Sequence, residues 1–358
     1  MTNRQTQGSA LRAAVIGTGK ISEEHLRFLA RDDRAVIVGV CDLSASLAKY
    51  AATRFGGDGA LAFTDYRRML TDAAPDVVHV LTPPHTHVQI VSECLEAGSH
   101  VVVEKPAAPT VEEAEALWSL ADRRSSRLVE NHNYRFNRPI RRMREMVDAG
   151  RIGDVREVEV RMCLGIRGKG GRYADQNLPH PSHKLPAGVL HEFLTHLCYL
   201  TLHFLPGCRA SHATWRNNGG GDLFKYDDMD ASMTKGDARA RIRFSCSQAP
   251  DCFTVCVRGS SGWLETDLFQ PCVAGSLPRG VGQQLTPVVN QIARGCTLAK
   301  AGVTGFWNKV MQVTAYEGLG VFLDQTYGAL VAGTEPPVTR EDSLDAARLI
   351  EEMLGVAA

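Results

Sequence analysis

The segment AAVIGTGKIS, residues 13–22, decides the fold. An apolar strand runs directly into a Gly-Thr-Gly turn, and the turn opens a helix. Free backbone N–H groups at such a helix start, together with the helix dipole, can receive a pyrophosphate. The segment therefore predicts a dinucleotide-binding turn made by Gly17, Gly19, Lys20 and Ile21.

An acidic residue at the end of the next strand strengthens this interpretation. Asp42 closes the run AVIVGVCD and stands 23 positions after Gly19. A carboxylate placed there can accept hydrogen bonds from both ribose hydroxyls of NAD. Ser22 occupies the position of the third glycine, so the motif alone is weak; strand, turn, helix and acid together are specific. The alternatives are an ordinary turn and an Asp42 that only caps the next helix.

The choice of cofactor follows from the charge at the same position. Asp42 would repel a 2′-phosphate, and neither Leu43 nor Ser44 carries a positive charge. We therefore expect NAD as the cofactor, in preference to NADP.

The pattern around this turn predicts an α/β domain with a Rossmann doubly wound parallel sheet. Up to about Gly150, short β-branched runs alternate with amphipathic helical stretches, which requires a parallel sheet covered on both faces. The expected strands are AAVIG, AVIVGVCD, VVHVLTP, HVVVEKP and RLVENHN. The expected helices begin near Ile21, Ser44, Asp65, His85 and Thr110.

Beyond Gly150 the hydrophobic period changes to two. VREVEVRM and ARARIRFSC each place apolar residues on one face and charges on the other, and FTVCV with WLETD indicates a hairpin. These strands predict a C-terminal α+β domain with a large open, mainly antiparallel sheet. A helix is expected within residues 185–205, and a helical tract over 283–330 with a break near Gly302.

Length favours more than one domain, since 358 residues exceed the usual size of a single core. We expect a dinucleotide-binding domain over residues 1–150 and a substrate-binding and oligomerisation domain over 151–335. The closing segment, 336–358, is expected to form a helix that packs back on the N-terminal domain.

Composition excludes several classes of partner. Lys plus Arg and Asp plus Glu each number 40, so no global positive field is available for nucleic acid or an anionic membrane. We find no secretory signal or apolar membrane span and expect a cytoplasmic protein. The ten cysteines are scattered through mostly apolar segments, so we interpret them as buried thiols and expect no metal site.

Several motifs together resemble the glucose-fructose oxidoreductase and inositol dehydrogenase (Gfo/Idh/MocA) family. They occur in matching order over about 150 residues, and the similarity weakens through the second sheet. The segments are GTGKISEEHL, DYRRML, LTPPHTHVQIVSECLEAGSHVVVEKPAAP and NYRFNRP followed by GRIGDV.

The resemblance assigns residues to the cofactor cleft. It places Lys105 of the EKP segment near the nicotinamide and Glu104 in the lining of the cleft. It also implies that the peptide bond between Lys105 and Pro106 is cis. Further cofactor-binding residues are expected in the TPP loop and the NYR segment: Thr82, Pro83 and Asn133. His87 has two interpretations, a cofactor contact or a structural hydrogen bond at a helix start.

A second family signature is a glycine followed by a helix that carries Asp and, four residues later, His. In PAGVLHEFLTH the corresponding positions hold Glu192 and His196. A spacing of four puts both side chains on one helical face, so both could reach one hydroxyl. We expect Lys105, His196 and Glu192 to be the catalytic residues. Glu in place of Asp is a departure that lengthens the acidic side chain by one methylene.

The glycine-rich loop GIRGKGGRY, residues 165–173, has two interpretations. Arg167, Lys169 and Arg172 could recognise a phosphate or carboxylate on a substrate, or the loop could simply be solvated. His180 and His183 follow in a proline-rich loop and could contact substrate.

The expected function is NAD-dependent hydride transfer on a secondary alcohol or ketone of a sugar, cyclitol or sugar derivative, and this substrate class rests on the resemblance. The alternatives are a reductase of a non-carbohydrate diol or ring and a non-catalytic dinucleotide-binding regulator. Relatives of this kind pair through the open sheet, so a homodimer or homotetramer is expected.

Overall fold

The computed structural model describes residues 10–168, 171, 173–177, 179–219, 221, 223–310 and 316–356, with side chains left out at 306–310. These residues form two compact units. Of the described residues, the first unit contains 10–108, 112–131 and 319–340. The second contains those within 109–111, 132–318 and 341–356.

The first unit is built on a six-stranded parallel sheet. Its strands lie in the order β3-β2-β1-β4-β5-β6. The strands are β1 (Leu11–Ile16), β2 (Ala35–Cys41), β3 (Leu61–Phe63), β4 (Val77–Val80), β5 (His100–Val103) and β6 (Leu128–Glu130). The sheet reverses direction of winding between β1 and β4, and ligands of such sheets bind at the carboxyl ends of these two strands.

Helices connect these strands, as the alternating pattern predicts. Ser44 and Asp65 cap α2 and α3, each accepting a backbone N–H with its side chain. The connecting helices are α1 (Ser22–Leu29), α2 (Ala45–Ala51), α3 (Tyr66–Ala73), α4 (His87–Glu96) and α5 (Val111–Arg124). The parallel Rossmann sheet is confirmed. β3 was not predicted, because three residues, of which two are exposed, give no periodic signal.

The second unit contains a seven-stranded sheet in the order β13-β12-β11-β7-β10-β9-β8. Only β7 and β10 pair in parallel, so the sheet is mixed but mainly antiparallel, as predicted. The strands are β7 (Val155–Cys163), β8 (Arg209–Arg216), β9 (Asp228–Lys235), β10 (Ala238–Ser245), β11 (Cys252–Gly259), β12 (Trp263–Asp267) and β13 (Gln270–Ser276).

One face of this sheet is the core of the second unit. Val158 and Val160 of β7 and Phe244 of β10 are fully buried in it, together with residues from three helices. The α-helices that follow α5 among the described residues are α6 (Arg138–Asp148), α7 (Val189–Phe204), α8 (Thr286–Val310), α9 (Glu317–Ala332) and α10 (Arg340–Gly355).

The other face carries the charges, and they are paired across strands. Arg239 lies 3.1 Å from Glu157, and Arg241 lies 2.5 Å from Asp230. The period-two prediction for these strands is therefore confirmed residue by residue, with the apolar set inside and the arginines outside.

Leu349 and Ile350 of α10 are buried in the core of the second unit, and residues 319–340 belong to the first unit. That α10 also packs on the N-terminal domain stays a prediction.

The predicted break in the helical tract needs correction. Gly302 lies inside α8, where the helix continues without a break. A single glycine costs a helix only about 1 kcal/mol, which neighbouring residues offset.

Cysteine burial is close to the prediction. All ten cysteines are free thiols, and seven are buried; Cys252 and Cys272 are half-buried and Cys296 on α8 is exposed. Among the described residues, no group of His, Cys, Asp and Glu could hold a metal ion. No helix within the described part of the chain is long and apolar enough to cross a membrane.

Candidate active site

The turn after β1 has the shape that a dinucleotide site requires. Gly17 has a φ of +95°, and a Cβ there would lie 2.9 Å from the carbonyl oxygen of Leu81, after β4. Only glycine fits that position. A Cβ on Gly19 would meet nothing within 4 Å, so open space lies over the start of α1, beside the exposed Lys20. This space can admit a pyrophosphate at the helix N-terminus.

Asp42, at the end of β2, is fixed by hydrogen bonds from Thr18 and Ser44. Its Oδ2 accepts the backbone N–H of Thr18 at 2.8 Å and the Thr18 hydroxyl at 2.7 Å, and its Oδ1 accepts the N–H of Ser44 at 2.9 Å. Burial alone would raise the pKa of Asp42, but these hydrogen bonds outweigh burial and lower the pKa. The carboxylate is therefore ionised, oriented and half-buried. Thr18 was not predicted.

The loops after β4 and β5 are joined by His87. This residue is fully buried, with Nδ1 2.8 Å from the carbonyl oxygen of Pro106 and Nε2 2.7 Å from that of Thr82. Each ring nitrogen thus faces a main-chain carbonyl oxygen, which favours the structural interpretation of His87 over a cofactor contact. The ring ties the TPP loop to the EKP loop.

The EKP loop carries the predicted lysine. The Lys105-Pro106 bond is cis, which confirms that prediction. Glu104 accepts a hydrogen bond from the side-chain amide of Asn131 at 2.5 Å. Burial would raise the pKa of Glu104, but the neighbouring side chains of His25, Lys105 and Asn131 outweigh burial and lower the pKa. Glu104 is therefore a carboxylate next to an ammonium group.

In the second unit, His196 is held by an aromatic cluster. It is 8% exposed on α7, and its Nδ1 lies 2.8 Å from the hydroxyl of Tyr199. Tyr199 also accepts the backbone N–H of Tyr134 at 3.2 Å and stacks on His132 with ring centroids 4.3 Å apart. Tyr199 was not predicted, although its position three residues after His196 on the same helix could have indicated it.

Glu192 lies one turn before His196 and is bound by the preceding loop. It accepts hydrogen bonds from the hydroxyls of Tyr173, at 3.1 Å, and Ser182. His180 Nδ1 lies 3.9 Å from the same carboxylate. His180 and Glu192, both expected near the substrate, thus lie close together. The residue that contacts Nδ1 of His196 is Tyr199 and not Glu192. Asn133, in the turn Asn133–Phe136, also lies in this unit.

The glycine-rich loop shows one clear contact. Arg167 pairs with Asp227, whose side chain is fully buried, and Asp227 also accepts the backbone N–H of Asn218 at 2.8 Å. Arg167 is thus tied to the protein itself, which weakens the interpretation that it binds a substrate anion. Lys169 and Arg172 lie outside the described residues.

Two family models match the chain. One, described as an oxidoreductase family with an NAD-binding Rossmann fold, matches residues 11–132. The other, a GFO/IDH/MocA C-terminal domain, matches residues 140–265.

Similar proteins are found among sequences and structures. D-glucoside 3-dehydrogenase of Escherichia coli (strain K12) is 33% identical over 148 residues, 41% of this chain and 42% of that protein. Inositol 2-dehydrogenase 3 of Saccharopolyspora erythraea is 37% identical over 145 residues, 40% of this chain and 42% of that protein. The matched region thus spans less than half the length of these two relatives.

A solved structure shares the fold over nearly the whole length. It is the WlbA dehydrogenase from Bordetella pertussis in complex with NADH and UDP-GlcNAcA, with a TM-score of 0.77, 19% identity and coverage of 97% of this chain and 95% of that one. At this identity the similarity shows the fold alone. With both family models matched in order along the sequence, the chain belongs to the GFO/IDH/MocA family of oxidoreductases and carries its NAD-binding Rossmann domain.

Proposed function

We propose that the protein is an NAD-dependent oxidoreductase that transfers hydride between the nicotinamide and a secondary alcohol or ketone of a sugar, cyclitol or sugar derivative. The observation that carries the proposal is the arrangement around His196, a buried imidazole fixed through Nδ1 by Tyr199. The names of the glucoside and inositol dehydrogenases support the substrate class. So does the nucleotide sugar bound to the WlbA dehydrogenase.

His196 is suited to hold the proton of the reacting hydroxyl. In this proposal Nδ1–H of His196 donates to the Tyr199 oxygen, which also accepts the backbone N–H of Tyr134. With its proton on Nδ1, a neutral His196 has a lone pair on Nε2 that can accept a proton from substrate. In the reverse direction the same nitrogen returns the proton.

The other two residues have different roles in this proposal. Bound NAD would accept the hydride in the oxidative direction, and bound NADH would supply it in the reductive one. Lys105 donates a hydrogen bond to the reacting oxygen and stabilises the negative charge that develops there. Glu192, already an acceptor for Tyr173 and Ser182, binds and orients a neighbouring substrate hydroxyl.

The test is an activity screen with the purified chain. The protein would be incubated with NAD and a panel of sugars, cyclitols, sugar derivatives and non-carbohydrate diols while reduced-cofactor absorbance is followed. Turnover of a polyol, lowered by at least about a hundredfold in His196→Ala, is the expected result. Turnover of only the non-carbohydrate diols would instead favour the second enzyme class. Tight NAD binding without turnover of any compound would favour a regulator.

Asp42 is expected to make the protein select NAD. Its ionised carboxylate would lie against a 2′-phosphate, so NADP should bind at least about tenfold more weakly, about 1.4 kcal/mol. Asp42→Asn should reduce the difference between the two affinities, because it weakens the binding of NAD and removes the repulsion between the carboxylate and the 2′-phosphate of NADP. Calorimetric titration of both cofactors measures the two affinities.

A matched control is Asp76→Asn. Asp76 lies at the amino end of β4, whereas Asp42 follows the carboxyl end of β2, and it accepts the backbone N–H of Arg12 at 2.8 Å. That change should leave both affinities unaltered. Equal binding of NAD and NADP by the unaltered protein would contradict the prediction. Arg54, which pairs with Glu23 at 3.2 Å, would then be the first candidate for neutralising the phosphate.

The charged face of the second sheet is proposed to form the contact between copies of the chain. Light scattering should give two or four times the mass of one chain, and added salt should weaken the assembly. Arg241→Ala removes one ion pair from this face. It should shift the equilibrium toward monomer more than Arg68→Ala, which breaks a comparable surface pair with Asp72 on α3. A monomer at micromolar concentration would refute the proposal.

A further inference from the structure

Two histidines and a tyrosine form a buried line in the first unit, outside the dinucleotide turn. His25 on α1, His79 on β4 and Tyr327 on α9 are all fully buried. Nδ1 of His79 lies 2.8 Å from Nδ1 of His25, and Nε2 of His79 lies 2.9 Å from the hydroxyl of Tyr327. Nε2 of His25 lies 3.4 Å from Oε1 of Glu104. The line therefore ends at the residue that precedes Lys105.

The contact between His25 and Glu104, at 3.4 Å, is longer than the two other contacts of the line. Nε2 of His25 makes no hydrogen bond of ordinary geometry with any described residue, and Oε1 of Glu104 is the acceptor that faces it. A buried N–H is costly to leave unpaired, so this nitrogen directs its proton at the carboxylate. Asn131 donates to the same oxygen, and Oε2 receives neither donor.

One arrangement of protons satisfies every contact with both rings neutral. A carboxylate only accepts, so His25 donates from Nε2 and its Nδ1 is an acceptor. Nδ1 of His79 must then donate, which leaves Nε2 of His79 as an acceptor. The Tyr327 hydroxyl is therefore the donor to that nitrogen. Every contact along the line is therefore donated in the same direction: Tyr327 donates to His79, His79 to His25, and His25 to Glu104.

The reverse arrangement is disfavoured by burial. It would turn an unprotonated Nε2 of His25 toward a carboxylate oxygen, or require a charged ring in the interior. Burial lowers the pKa of His79 well below its ordinary value, so this ring stays neutral. Burial also raises the pKa of Tyr327, so its hydroxyl keeps the proton it donates.

We propose that Tyr327, His79 and His25 are positioning residues that hold Glu104 ionised, with Oε1 fixed, beside Lys105. The inference rests on the proposed function, in which Lys105 acts on the reacting oxygen. A carboxylate fixed in this way supplies a constant negative charge next to the lysine ammonium. Electrostatic stabilisation of this kind depends on groups that do not have to reorient during the reaction.

The first test reads the tautomers directly and needs neither substrate nor cofactor. The full chain would be labelled with ¹⁵N-histidine, and long-range ¹H–¹⁵N spectra recorded at neutral pH. Signals are assigned by their loss in His25→Gln and His79→Gln. The expected result is a neutral His79 protonated on Nδ1 and a neutral His25 protonated on Nε2. A His79 protonated on Nε2 would overturn the inference whether or not the protein turns over any substrate.

The second test removes the terminal donor. Tyr327→Phe keeps the ring and deletes the hydroxyl, so Nε2 of His79 loses its donor and the rings can reverse. We expect an altered His79 tautomer signal and about a tenfold lower kcat, with NAD affinity and substrate KM within about twofold. Tyr66→Phe, which deletes a hydroxyl 2.9 Å from Glu93 in the same unit, is the matched control.

The two outcomes separate positioning from structure. If Tyr327→Phe lowers the melting temperature but leaves kcat and the tautomers unchanged, the three residues contribute only to packing, and the proposal is overturned. If the unaltered protein has no turnover, the tautomer signals still decide the proton arrangement, so failure of the proposed function is recognised separately.

Discussion

His196→Ala should lower turnover by about two to four powers of ten, the usual range for losing a general base. In the proposed mechanism the imidazole takes the substrate proton, and its Nδ1 lies 2.8 Å from the hydroxyl of Tyr199. NAD affinity should stay nearly unchanged, because the dinucleotide turn belongs to the first unit. Steady-state kinetics with the best substrate of the screen, together with a cofactor titration, measure both quantities.

The pH profile and two further variants sharpen this test. Turnover of the unaltered protein should fall on the acid side, because a protonated imidazole cannot accept the substrate proton, and His196→Ala should lose that limb. Tyr199→Phe leaves the base in place but frees its ring, so a smaller loss is expected. His203→Ala, seven residues on in α7, controls for the helix. Near-normal turnover with the same acid limb in His196→Ala would assign the base to another residue.

The dinucleotide turn could be predicted from sequence because its determinants are local. A strand, a glycine whose Cβ would strike the main chain, an open helix start and an acid at the next strand end all lie within residues 11–42. The same holds for β7 and β10, where strict alternation fixes which residues face the core. Such features depend on residues that are close in sequence, so they can be predicted without knowing the tertiary contacts.

Elements decided by tertiary packing were not predictable in the same way. The amphipathic pattern of α10 shows that one face is buried but not against which unit, and the structure buries it in the second. Gly302 looks like a helix break, yet α8 continues through it. Three residues are too few for β3 to show any period.

The site itself shows the same division. The spacing of Glu192 and His196 follows from one helix and was recognised. The partners of Glu192 come from a loop 10 and 19 residues earlier, and Arg167 meets Asp227 across 60 residues. Contacts at such separations depend on how loops fold over the sheet, and no periodic pattern records them.

Lys105→Met should lower kcat by about two to three powers of ten, the range for removing one donor from a developing oxyanion. The substitution keeps the length and apolar stem of the side chain but removes the charge beside the carboxylate of Glu104. The loss should fall on kcat and on kcat/KM together, because the interaction strengthens as charge develops on the reacting oxygen. Steady-state kinetics in both reaction directions provide the measurement.

Two comparisons decide whether the lysine acts on the reacting oxygen or only on binding. Lys105→Arg keeps a positive charge but replaces a compact ammonium by a planar fork, so it should restore only part of the lost rate. Lys300→Met, which removes an exposed lysine from α8, should leave the kinetics unaltered. If Lys105→Met raised KM while kcat stayed at its original value, Lys105 would bind substrate equally in the ground and transition states. The charge on the reacting oxygen would then have to be stabilised by His196 alone, returning its proton as the oxygen becomes negative.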